Sequence, residues 1–302
     1  MKNKIDIENG RYWDRALSLV DGCTPCSPGC DHCWSAAMTK RFDVVESGID
    51  LVQERHVFTD GGKFNGHIIT HPDRLDIPLR TRKPTVFSVW NDLFHERVTE
   101  LFRDRAYDVM IQADHHIYLI LTKRPQNMDW YLSQWCNAVG DYDVSRDHIW
   151  HGLTVCNQAE ADEKIPVFLQ VSGKKFLSIE PMLGPISLRW LSHGMKWRQA
   201  TNEYDGLRMI DAVILGGETG PGARPMHPDW AISIVRQCKA AGVPFFFKQW
   251  GEFCELSQMP ESVWTRYDIA GAKDGDIIRC GRKKSGRLLD GLTHDDLPWV
   301  AK

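Results

Sequence analysis

The chain has 302 residues, 42% of them hydrophobic and 25% charged, and its 37 lysines and arginines face 40 aspartates and glutamates for a net charge of −3. This is ordinary globular usage for one large domain or two small ones, and it argues against wholesale disorder. No apolar run approaches the ~20 residues that span a bilayer, and the N-terminal MKNKIDIENG has no apolar secretory core. A membrane protein and a conventionally secreted one are both disfavoured, and a cytoplasmic protein is expected. The average charge does not announce a nucleic-acid binder, although a local basic patch is compatible with it.

The first feature along the chain is the loop GCTPCSPGCDHCW at 22–34, which holds Cys23, Cys26, Cys30 and Cys33. Pro25, Pro28 and Gly29 stiffen and turn it, so the sulfurs can converge within few residues. In a reducing compartment such spacing reads as metal binding rather than as a disulfide framework. Thiolates are soft ligands that suit zinc or an iron–sulfur cluster. The scattered cysteines at 136, 156, 238, 254 and 280 read as small core residues.

Short β-rich runs follow at Thr85–Trp90, His116–Thr122, His148–Val155, Lys174–Pro181, Met209–Gly217 and Val243–Gly251. Most are near-continuous apolar runs, the pattern of strands buried on both faces. Helical segments separate them. Val98, Leu101, Phe102, Ala106, Val109 and Met110 share a stripe. Asn157 and Glu160 resemble a capping box, with Pro166 ending that helix. Pro228 suits a first turn and Gly242 a stop. Alternation of strand and helix argues an α/β protein with a parallel sheet, either a β/α barrel or an open doubly wound sheet. Residues 1–251 form the expected domain, with an insertion at 185–208. Residues 252–302 form a C-terminal extension, with a hairpin-like segment GRKKSGRLLDG.

The spacing Cys26-x3-Cys30-x2-Cys33 resembles that of the radical S-adenosylmethionine (SAM) superfamily. In that superfamily three thiolates hold a [4Fe–4S] cluster, the amino and carboxylate groups of SAM chelate the open iron, and an electron from the cluster releases a 5′-deoxyadenosyl radical. The whole chain, from about Gly22 to Trp299, resembles the phage- and prophage-associated three-Cys-motif proteins, a radical-SAM-like family of unknown function. The motifs that carry the resemblance are GC(x6)CDHCW, FSVWNDLFHERV (87–98), LTKRP (121–125), FLSIEPMLGPI (176–186), ILGGETGPGARPMHPDW (214–230), PFFFKQWGEF (244–253) and GRLLDG (286–291). The resemblance implies a partial or full parallel β/α barrel of the TIM-barrel-related, radical-SAM-like kind. It also implies SAM as cosubstrate, a flavodoxin- or ferredoxin-type electron donor, and the host cytoplasm as the location. Many members carry a six-residue first gap, which selects Cys23, Cys30 and Cys33, whereas the superfamily spacing selects Cys26, Cys30 and Cys33.

Polar residues at strand ends are the candidate cofactor-binding and catalytic groups. Asn91 and Asp92 follow one strand and are read as contacts to the amino group of SAM, or as a helix N-cap. Lys123 and Arg124 close the next, as a grip on the SAM carboxylate or a substrate phosphate, or as a solvated strand end. Glu180 sits in an otherwise apolar strand, where a carboxylate is costly unless paired or at the mouth. Gly216, Gly217, Glu218 and Arg224 read as a binding loop. Lys248 is a further mouth residue that pairs with Glu180 or Glu218 if the contact is structural. Glu180 and Lys248 are the catalytic candidates, and His32 and His95 read as structural.

Two stretches mix cations with aromatics or with each other: Arg189, Trp190, His193, Lys196, Trp197 and Arg198, and then Arg279, Arg282, Lys283, Lys284 and Arg287. Such groups can hold phosphates while rings stack on bases. With the phage resemblance they suggest a substrate that is a modified pyrimidine nucleotide or base, or DNA itself. The rivals are a non-enzymatic iron–sulfur or zinc protein that binds a partner, and a nucleic-acid-binding module with a structural metal knot.

Overall fold

The computed structural model describes residues 5–40, 58–139, 146–189, 191, 202–259 and 275–300. Seven parallel strands form its main sheet: β1 (Arg15–Leu17), β2 (Val86–Val89), β3 (Ile117–Thr122), β4 (Ile149–Thr154), β5 (Lys174–Ile179), β6 (Ala212–Gly216) and β7 (Phe245–Gln249). Neighbours in space are neighbours in sequence, and the sheet curls into a half-barrel with β1 and β7 as its edges. This mixed α/β fold is compatible with the partial β/α barrel expected from the sequence. No helix among the described residues is long and apolar enough to cross a membrane.

Alternation along each strand divides the core into two layers. Tyr118 and Ile120, Val213 and Leu215, and Phe245 and Phe247 face outward. They pack against α2 (Glu100–Gln112), α3 (Pro125–Val139), α4 (Gln158–Phe168) and α5 (Pro228–Ala241), which follow α1 (Trp34–Thr39) in the chain. Leu119, Trp150, Phe176, Ile214 and Phe246 face inward. The runs read as uniformly apolar because both faces are covered, as in β4, where all six residues are buried. Gly152 is needed there, since a Cβ would lie 2.3 Å from the Phe176 ring.

The two ends of the chain fill the inner face. Ile5, Tyr12, Leu297 and Trp299 join the inward layer. Trp299 packs edge-on against Trp150 and Phe176, with ring centroids 4.8 and 5.6 Å apart, and its Nε1 donates to the Tyr12 carbonyl at 2.9 Å. Residues 294–296 hydrogen-bond to the free edge of β7. Arg287 ties these pieces together by donating to the carbonyls of Ile7, Phe247 and Lys248 and pairing with Asp295.

Several local expectations change. β1 is a seventh strand, and three residues that include an arginine give no usable alternation. Pro166 lies inside the last turn of α4, which runs on to Phe168. Two residues past a proline can stay helical near a terminus because few later bonds depend on it. The segment GRKKSGRLLDG is not a hairpin about Ser285–Gly286. Arg282–Ser285 is one helical turn, anchored where Ser285 Oγ donates to the Gly251 carbonyl, and the chain reverses at Asp290–Gly291 instead. In the extension, β8 (Phe253–Glu255) pairs antiparallel with β9 (Ile277–Arg279).

Trp299→Ala is expected to lower unfolding stability by about 3–5 kcal/mol, the usual range for emptying a buried tryptophan site. Urea denaturation followed by circular dichroism measures it. A loss below about 1 kcal/mol would mean that the C-terminal residues do not plug the half-barrel.

Candidate functional site

The cysteine loop lies across the C-terminal ends of the strands, where ligands sit in parallel β/α folds. Each of five strand ends touches it or its flanks. After β2, Asn91 adopts φ +58°, a conformation asparagine tolerates. Its Nδ2 donates to the Val20 carbonyl at 2.7 Å and its Oδ1 accepts from Ser35 Oγ at 2.9 Å, so one amide pins the chain before and after the loop. After β3, Arg124 donates to the Thr24 carbonyl at 2.9 Å. After β4, Cys156 packs so close to Gly29 that a Cβ there would lie 2.3 Å from its sulfur. After β5, Pro181 would be 3.2 Å from the same Cβ. After β6, Arg224 donates to the Pro28 carbonyl at 2.9 Å.

Both arginines are backed by carboxylates. Asp92 accepts from Arg124 NH1 at 2.7 Å, from Thr122 Oγ1 at 2.7 Å and from the Phe94 backbone N–H at 3.0 Å. Glu96 adds a contact to Arg124 Nε at 2.9 Å. The Asp92 and Arg124 side chains are each only 8% exposed, so this is a buried ion pair. Glu218 receives Arg224 in bidentate fashion at 2.6 and 2.8 Å and also accepts the Arg224 backbone N–H at 2.8 Å. Gly217 permits the turn, because a Cβ would lie 1.8 Å from the Trp250 carbonyl. Asp92, Arg124, Glu218 and Arg224 thus come together as two clamps on the loop backbone. His95 adds to the first clamp through Thr24 Oγ1 at 2.8 Å, and burial lowers its pKa.

Glu180 and Lys248 meet at 2.6 Å, with Gly216 beside them: a Cβ on it would lie 3.3 Å from Glu180 Oε2. Ser178 Oγ donates to Glu180 Oε1 at 3.3 Å and Tyr12 OH at 3.4 Å. Lys248 Nζ stands 5.4 Å from the Tyr12 ring centre. Burial, and then Glu180, raise the Tyr12 pKa well above its ordinary value.

Lys123 is placed differently. It is half-buried, and among the described residues no carboxylate pairs with it. Burial works against its charge, but the thiols of Cys30, Cys156, Cys33 and Cys26 more than offset this and raise its pKa. A hydrogen bond from Cys26 is the main cause that lowers the Cys30 thiol to about 5, with Lys123 assisting, while the same bond pushes Cys26 upward. Burial and then Asp92 push Cys23 to about 11, and burial pushes Cys156 to about 12. Among the described residues no group of three or more His, Cys, Asp or Glu side chains is placed to hold a single metal ion.

Sequence reasoning passed over Tyr12 and Cys156. Cys156 follows the run His148–Val155, so its strand-end position was the available signal. Tyr12 had none, because its partners are more than 160 residues away in the chain. Of the basic stretches, Trp190, His193, Lys196, Trp197 and Arg198 lie outside the described residues. Arg189 pairs with Glu203 at 3.7 Å. Arg287 does not belong to a phosphate-holding patch: its donors are spent on buried carbonyls and Asp295. Arg282, Lys283 and Lys284 are exposed. Two clefts, of about 400 and 440 Å³, include no residue of this mouth.

Two measurements check this geometry. In metal-free protein Cys30 is charged above about pH 5, so iodoacetamide should label it at pH 7 and lose that reaction as the pH falls through 5. Cys23 should stay unlabelled at pH 7, and peptide mass spectrometry showing equal labelling of the two contradicts the arrangement. Arg124→Ala should cost about 3–5 kcal/mol by stranding a buried Asp92, whereas the double replacement Asp92→Leu with Arg124→Met should cost clearly less. Equal losses in urea unfolding would show that the pair is not what is being broken.

No curated protein matches the chain. A family model described as "Protein of unknown function (DUF5131)" matches residues 8–298, nearly the whole sequence. The chain belongs to that family.

Proposed function

We propose that this chain is a radical SAM enzyme whose cysteine loop holds a [4Fe–4S] cluster through Cys26, Cys30 and Cys33. The observation that carries the reading is geometric: the loop that bears these three cysteines is pinned over the strand ends, with Arg124 on the Thr24 carbonyl and Arg224 on the Pro28 carbonyl. The donor set fits the group, being all sulfur and soft. A cluster takes each thiolate on a different iron, so its ligands need not meet at one point as those of a zinc ion must. When bound together with SAM, the cluster supplies the electron that cleaves the cosubstrate and so begins hydrogen abstraction from a substrate.

The chain's own residues supply the setting. Lys123 offsets thiolate charge in a half-buried site. Arg124 and Arg224 hold the Thr24 and Pro28 carbonyls, which fixes where the sulfurs stand. Glu180 and Lys248 offer a paired base and acid at the mouth, with the Tyr12 hydroxyl donating a hydrogen bond that orients Glu180 Oε1. The resemblance suggests a nucleotide, base or DNA as substrate, a flavodoxin- or ferredoxin-type protein as electron donor, and a phage-infected cytoplasm as the setting. One observation favours the rival, a non-enzymatic iron–sulfur or zinc protein. Asp92, Arg124, Glu218 and Arg224 are committed to one another and to the loop, as a purely structural metal knot also requires.

Anaerobic reconstitution should give about four irons and matching sulfide per chain, and a reductant-dependent release of 5′-deoxyadenosine from SAM. Cys26→Ala should lose the iron, while Cys23→Ala and Cys156→Ala keep it. Zinc without sulfide overturns the proposal in favour of the rival. Iron lost in Cys23→Ala and kept in Cys26→Ala moves the third ligand to Cys23.

A further inference from the structure

Trp34 opens α1 directly after Cys33, and 53% of it is exposed. It contributes little to the core, since Ala36 is the buried residue of this short helix. What separates it from other exposed side chains is a ladder of rings behind it. Trp34 meets Trp90 with ring centroids 5.1 Å apart at 78°, and Trp90 meets Trp13 at 5.8 Å and 89°. The Arg11 guanidinium closes the far end, 4.1 Å above the Trp13 ring. Trp13 packs on the inner layer of the half-barrel, so the ladder runs from the sheet interior to the rim of the cysteine loop. Beside it the inner face carries the small residues Ala16 and Ser88, paired in register across β1 and β2.

The perpendicular contact with Trp90 stacks no ring on the Trp34 indole, which stays 53% exposed. The ladder and the Ser35–Asn91 hydrogen bond at 2.9 Å hold that ring in place, so little freedom is left to lose on binding. Trp34 is the lone exposed large apolar side chain among the described residues of the loop and α1. A patch one indole wide is far below the ~800 Å² that each partner buries in a stable protein interface. It matches a single flat ring, because stacking needs only a π face and tolerates different ring chemistries. We propose that Trp34 is a stacking platform for a planar conjugated ring of the substrate, held beside the cysteine loop. This deepens the reading of the mouth as a substrate site and names the substrate's chemical class. Such a ring can come from a nucleobase or from an aromatic side chain.

Calorimetric titration of the full chain decides the matter, with uridine, inosine and N-acetyltyrosinamide as flat probes and N-acetylcyclohexylalaninamide as the saturated control. At least one flat probe should bind and the saturated one should not. Binding by the nucleosides alone assigns the ring to a base, and by the tyrosine derivative alone to a side chain. Trp34→Leu keeps apolar area but loses the π face, and should weaken binding about tenfold or more. Trp34→Phe should restore most of it. Trp130→Leu, which removes an indole that is 51% exposed on α3, should change nothing. Equal affinity in wild type and Trp34→Leu, no flat probe binding at all, or displacement of the flat probe by SAM would each overturn the proposal. Iron content is measured on the same samples: ring binding without iron leaves the platform standing and removes the cluster, and iron without ring binding does the reverse.

Discussion

A loop that gathers thiols cannot be held by hydrophobic burial, because its working atoms have to stay polar and reachable. In this protein the holding is done by side chains that reach in from strand ends and grip backbone carbonyls. Arg124 takes Thr24, Arg224 takes Pro28, and Asn91 takes Val20 while engaging Ser35. A guanidinium suits the task because its planar fork can serve a carboxylate and a carbonyl at once. Each arginine has a carboxylate behind it that fixes its orientation, Asp92 in one case and Glu218 in the other. Buried pairs of this kind add little net stability, since desolvation offsets the attraction, but they are strict about geometry. That strictness is what a loop with four cysteines requires.

The strands can present such groups because their bodies are sealed on both faces. Helices cover the outer face, and the two chain ends cover the inner one through Tyr12, Leu297 and Trp299. A half-barrel left open would expose Trp150, Phe176 and Phe246, an apolar patch that calls for a cover. Arg287 locks the cover by joining β7, the N-terminal segment and Asp295. The interior of the half-barrel is therefore a packed layer, and its polar groups are presented above that layer, at the strand ends. Ser88, Ser178 and Gly216, together with Ala16 on β1, put small side chains on the upper inner face there.

Much of this was legible in the sequence, for physical reasons. Apolar runs bounded by helical stripes fix where strands lie, and a strand's last residue marks its mouth. That is why Asp92, Arg124, Glu180, Glu218 and Lys248 could be singled out. Their partners could not. Whether Lys248 meets Glu180 or Glu218, or whether Arg287 sits on a surface or inside a cage of carbonyls, depends on pairings through space that leave no local pattern. The same limit hid the tryptophan ladder, whose rings come from positions 13, 34 and 90 and share no periodicity. The segment 281–291 misled because Ser-Gly is a common turn pair, whereas Ser285 is used here to anchor a helical turn to Gly251.

The cations at the mouth also sort themselves by what they already hold. Arg124, Arg224 and Lys248 each have a carboxylate within 2.7 Å, so their charge is largely answered by the protein. Lys123 has thiols instead. A thiol answers an ammonium only when it is ionised, so the charge balance around Lys123, which has no carboxylate partner among the described residues, depends most directly on what the cysteines bind. Arg124 and Arg224 meet the loop with their charge already matched by Asp92 and Glu218, which leaves Lys123 as the mouth cation matched by thiols alone among the described residues. Recognition at this mouth accordingly falls to the thiols, to Lys123 and to the rim, and the clamps serve them.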